Sequence, residues 1–195
     1  MTTLTTQLEA INVMLGHIGE SPINSLSGTG ALPVSATTAL AALNEISKEV
    51  QSEGWHFNSE NKVILSPVGG VITVPTDAIQ IDTIDGSLDV VQRGSTLYNR
   101  TDNSSVFTTS LAVNLIRLLS WDNLPEEARR YITLRASRIF QGRIVGSREL
   151  ESLIARDEYQ ARARLEESDY GSSDRTIFDN YDVATRIGFN RNYDI

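Results

Sequence analysis

A chain of 195 residues with a net charge of −8 and 40% apolar residues has the size of one domain, with room for two small lobes. The sequence pI near 4.8 argues against a protein that grips phosphate backbones, and the absence of Cys removes disulfides and thiolate metal sites. The start, MTTLTTQLEA, lacks the basic and apolar stretches of a secretory signal, and no apolar run is long enough to span a bilayer.

Leu4, Leu8, Ile11, Leu15 and Ile18 fall on one face of a helix over residues 4–19, opened by a capping box from Thr6 to Glu9. The Gly, Pro and Ser of residues 19–33 predict a loop. A second helix is expected from about Pro33 to Glu53, with Ala36, Leu40, Leu43, Ser47 and Val50 as its apolar stripe. Gly54 fits its C′ position. The stretch QSEGWHFN, 51–58, holds one of two His and one of two Trp. It reads as a corner in which Trp55 and Phe57 turn to one side and His56 to the other.

Short β-branched runs follow at 63–65, 71–74, 78–84, 88–91 and 95–98, separated by Gly and Pro. They predict antiparallel sheet with hairpins. Residues 100–110 read as a long exposed polar loop and 111–119 as a buried strand. The helical period returns after Pro125, with Ala128, Ile132, Ala136, Ile139 and Phe140 on one face to about Val145. Gly146–Ser147 closes that helix and caps the next, whose stripe is Leu150, Leu153, Ile154, Ala161 and Leu165, ending near Asp169. The fold class is therefore α+β. A bundle of about four helices (1–56 and 120–170) carries an inserted antiparallel β-domain (57–119) and an extended C-terminal arm (171–195).

Residues 126–145 hold five Arg and two Glu, whereas 147–169 hold seven acids and four Arg. These helices can pair within the chain or meet across a subunit boundary, with Arg129, Arg130, Arg138, Glu151 and Glu158 as the candidate contacts. Two of the 17 basic residues are Lys, and Arg suits interfaces better. Ile177, Phe178, Tyr181, Ile187, Phe189 and Tyr193 are too apolar for an idle tail. The arm either packs on its own domain or orders on a partner.

No catalytic signature holds. Gly28-Thr29-Gly30 fails as a phosphate loop, because the third glycine would fall on Pro33 and no strand precedes it. Two His without Cys give no metal set, and Asp179, Asn180 and Asp182 lack the turn glycine of a calcium loop. No cofactor is expected. The sequons at Asn99 and Asn103 are incidental without secretion. Glu151, Glu158 and Glu166 sit among carboxylates that read as a solvated face, although a glycosidase pair can hide in such a set. His17 reads as a partly buried structural histidine.

LEAINVMLGHIGESPINSL, SEGWHFN, AVNLIRLLSWDNLPEEARRYITLRASRIFQGRIVG and the DYG of Asp169–Gly171 resemble the tail tubular protein A family of short-tailed bacteriophages, over about residues 4–171. The resemblance is weakest at about 60–100 and in the arm. It implies a structural adaptor, twelve copies forming a ring between the portal protein and the tail nozzle (tail tubular protein B). That ring would continue the DNA channel, with DNA passing unbound through the lumen, and would offer an outer surface to tail fibres. The implied setting is the phage tail of the virion, assembled in the host cytoplasm without membrane insertion. The arm residues Ile177, Phe178, Tyr181, Phe189 and Tyr193 are the candidate portal contacts. The alternative from another class is a tail-associated carbohydrate hydrolase that uses a pair of carboxylates, either instead of the adaptor role or as a second role of the same ring.

Overall fold

The computed structural model describes residues 4–27 and 32–172. Among these residues four helices, α1 (Gln7–His17), α2 (Val34–Gln51), α3 (Glu126–Ile144) and α4 (Arg148–Ser172), flank five strands in the order of the chain. The strands are β1 (Ser59–Leu65), β2 (Ala78–Thr83), β3 (Val90–Arg93), β4 (Thr96–Asn99) and β5 (Leu111–Arg117). The fold is α+β.

Helix α1 starts where Thr6 Oγ1 accepts from Glu9 N at 3.2 Å and Glu9 returns the bond to Thr6 N at 2.7 Å, as the sequence predicts. Leu4 lies before this cap and is exposed, so the apolar face begins later than expected. In α2 the stripe is Ala36, Ala39, Leu43, Ile46 and Val50; Ile46 takes the core position assigned to Ser47. The last turn ends at Gln51, so Gly54 lies one residue beyond the C′ position expected of it. Its φ of +78° still explains the glycine, because a side chain there is strained.

Helix α3 is the centre of the bundle and packs on α1, α2 and α4. Tyr131, Ile132, Leu134, Ala136 and Phe140 are buried along it. That spread is wider than one amphipathic stripe, because α3 has neighbours on more than one side. Helix α4 buries Ile154, Glu158, Ala161 and Leu165, whereas Leu150 and Leu153 are exposed instead of joining the stripe. Positions 154, 158, 161 and 165 form one continuous line on the helix; 150 and 153 precede it, at the turn that Gly146 (φ +67°) makes. The helix also continues through Gly171 and Ser172, into residues expected to begin the arm.

The strands form two sheets: a three-stranded antiparallel one in the order β1-β5-β2 and the hairpin β3-β4. Strand β5 enters between β1 and β2, pairing Val63 with Val113 and Ile81 with Leu115. Residues 71–74, expected as a strand, contribute isolated bridges, Val71 to Val68 and Thr73 to Thr96. Ile72, Val74, Val90, Leu97 and Phe107 make a core separate from that of the helices. Phe107 thus plugs this core from within a loop read as wholly exposed, held by its N–H on Gly70 O at 2.8 Å.

Candidate functional site

The corner between α2 and β1 is built from side chains that satisfy backbone. Asn58, 2% exposed, accepts from Trp55 N at 2.9 Å and donates to Gln51 O and Arg117 O at 2.8 and 2.9 Å. Gln51, fully buried, accepts from Leu119 N at 2.7 Å and donates to Leu119 O at 3.2 Å. These bonds tie the end of α2 to the exit of β5 and leave few polar groups of the corner unpaired. Trp55 donates its indole N–H to Val50 O at 2.7 Å and lies parallel to Phe57, with ring centroids 6.5 Å apart. His56 is exposed, as the alternation predicts.

Above this corner the end of α4 faces the three-stranded sheet across a cleft of about 320 Å³. His56, Asn61, Gln80, Asp82, Asn114 and Asp169 line it, contributed by the corner, β1, β2, β5 and α4. Asp169 already accepts from the His56 backbone N–H at 2.6 Å. An adjoining recess holds Glu53 and Glu166, and both are claimed by Arg162, at 3.1 and 2.8 Å. The hydrogen bond to Glu166, then that to Tyr131, raises the Arg162 guanidinium well above its ordinary range, with Glu53 a smaller cause. The cleft can therefore take a polar ligand through amides and two carboxylates, but no nucleophile–base pair is assembled in it. Among the described residues no group of three metal-ligating side chains converges, and no helix is long and apolar enough to cross a membrane.

The residues named as subunit contacts fall in different places. Arg129 is 3% exposed and donates to the carbonyls of Leu124, Thr5 and Asp122 at 2.8–2.9 Å, so its fork is used inside the bundle. Arg138 Nε meets Glu158 Oε2 at 2.5 Å, with Glu151 3.8 Å from the same guanidinium, so this opposite-sign pairing of α3 with α4 forms within the chain. Arg130 and Glu151 lie at the surface. Ile177, Phe178, Tyr181, Phe189 and Tyr193 lie outside the described residues, as does Gly28-Thr29-Gly30.

Sequence reasoning missed a polar network at the rim of the bundle, centred on the buried Tyr131. The hydroxyl of the buried Tyr131 accepts from Arg135 at 2.9 Å and Arg162 at 3.2 Å, and Arg135 also pairs with Glu49. Arg162 and Glu166 at i, i+4 were a visible signal. Glu49 on α2 and Glu53 just after it were not, because they lie about a hundred residues away. His17 has its Nδ1 buried without a hydrogen bond, and desolvation lowers its pKa against the opposing pull of Asp157.

The described residues form an α+β fold in which Arg129, Arg138 and Arg162 are spent on pairing within the chain. The sequence profile of the tail tubular protein family matches residues 8–174, and the chain belongs to that family. It is 24% identical over 126 residues to the tail tubular protein A of Klebsiella phage KP34, a match covering 65% of this chain and just under two thirds, 66%, of that protein. The protein is a structural component of a bacteriophage tail.

Proposed function

We propose that the chain is the adaptor subunit of a short-tailed phage, forming a twelve-membered ring that joins the portal to the tail nozzle, continues the DNA channel and gives tail fibres a docking surface. The observation that carries this reading is the extent of the family match. From residue 8 to 174 it takes in α1 from its second residue, the other three helices and both sheets, so nearly all of the described architecture belongs to a tail component. A net charge of −8 suits a channel wall, since an acidic lumen repels the DNA backbone and lets it slide. The exposed Arg130 and Glu151 are the proposed contacts between neighbouring subunits. The apolar side chains of 171–195, Ile177, Phe178, Tyr181, Phe189 and Tyr193, are the proposed portal contacts. Assembly takes place in the host cytoplasm.

The test is the solution mass of the chain alone and after mixing with the portal ring of the same phage. Recruitment into a large complex with the portal supports the adaptor. A chain whose mass is unchanged by the portal refutes it.

The cleft favours a second role. Asp82 and Asp169 line one polar groove with Asn61, Gln80 and Asn114 and would be the two carboxylates of the proposed hydrolase. Purified protein that cleaves bacterial surface polysaccharide, and loses this on Asp82→Asn or Asp169→Asn, establishes the hydrolase; no cleavage removes it.

A further inference from the structure

Two stretches singled out in the sequence, the SEGWHFN corner and the DYG at the end of α4, lie more than a hundred residues apart and are joined by a hydrogen bond. The His56 backbone N–H donates to Asp169 Oδ1 at 2.6 Å. The last apolar side chain that α4 buries is Leu165, 1% exposed. From there to Ser172 the helix runs on for about 10 Å beside the sheet, with the open cleft beneath it. Tyr170 stands 75% exposed in this stretch. The body of α4 is fixed otherwise, by its packing on α3 with Ala161 and Leu165 in the helical core, by Glu158 on Arg138, and by Arg162 on Glu53 and Tyr131.

We propose that Asp169 is a latch that holds residues 166–172 of α4 on the corner and can open without unfolding the bundle. The acceptor is a carboxylate and the donor a backbone N–H at the start of a helical turn, a charge-assisted bond of the stronger kind. The hinge is the end of the buried stripe at Leu165. On one side of it the helix is fixed by packing; on the other it depends on polar contacts with the corner. Closed, the latch fixes the position of the end of α4 at Ser172, and it forms one wall of the cleft. Open, it releases both. This holds whether or not the adaptor reading does.

The experiment is amide hydrogen exchange by mass spectrometry on the full chain and on Asp169→Ala and Asp169→Asn. Asp169→Ala is expected to speed exchange of peptides covering His56 and residues 166–172 by roughly tenfold to a hundredfold, the range a charge-assisted bond spans, while 150–161 and α3 stay protected. Asp169→Asn keeps an acceptor oxygen and should lie much nearer the unaltered protein. Unchanged exchange in Asp169→Ala overturns the proposal. So does acceleration spread evenly over α3 and α4, which would make Asp169 a contributor to global stability only.

Discussion

Replacing Asn58 by Ala removes three hydrogen bonds from a site that water does not reach. Trp55 N–H, Gln51 O and Arg117 O each lose a partner in the 2%-exposed corner. At about 1 kcal/mol for each bond, the loss is about 3 kcal/mol, which for a chain of this length lowers Tm by about 6–12 °C. Asp at this position separates two accounts of the corner. It keeps an acceptor for Trp55 N–H but has no N–H to offer, and it sets a charge against two carbonyl oxygens. Asn58→Asp should therefore be less stable than Asn58→Ala, although it is nearly the same size as the original side chain. Urea unfolding followed by tryptophan fluorescence measures both, since Trp55 sits in the corner at 7% exposure. The midpoint should fall at constant m-value. A loss below about 1 kcal/mol for Ala, or Asp no worse than Ala, would refute the claim that this side chain holds the corner together.

Gly54→Ala should cost about 1–2 kcal/mol for its left-handed backbone, and more because the new Cβ would meet Ile116 Cδ1 at 2.7 Å. Ile116→Val removes that atom, so in the double variant the contact cost should disappear and the backbone cost remain; a plain sum of the two single effects would contradict this. Glu158→Ala should cost about 1–2 kcal/mol, less than for a fully buried pair, because Arg138 is 30% exposed and can turn to water; a loss of about 4 kcal/mol or more in a melting curve would refute that. Desolvation holds the folded pKa of His17 below its unfolded value near 6.5, so its contribution is present above that value and is lost as pH falls through the folded one. His17→Gln should therefore lose less stability than the unaltered protein between about pH 7 and pH 5 by calorimetry, and equal losses would show that His17 does not titrate against the fold.

Much of the fold was legible because it is dictated locally. The Thr6–Glu9 box, the Gly146–Ser147 turn and the periods of the helices depend on residues within a few positions of one another. The α, α, β, α, α order and the reading of QSEGWHFN as a corner follow from the same local rules. Tertiary structure alone decided which neighbours share that order. Strand β5 pairs between β1 and β2, Phe107 enters a core from a polar loop, and Arg129 buries its charge on three carbonyls. Ile46 displaces Ser47 from the core, and Glu158 takes a line of α4 that Leu150 and Leu153 extend by spacing alone, because the crossing of two helices fixes which face is covered. The cleft and its Asp169–His56 bond belong to the same class. Their members come from residues 54–61, 80–82, 114–116 and 169–170, and no period in a sequence encodes a meeting across a hundred residues.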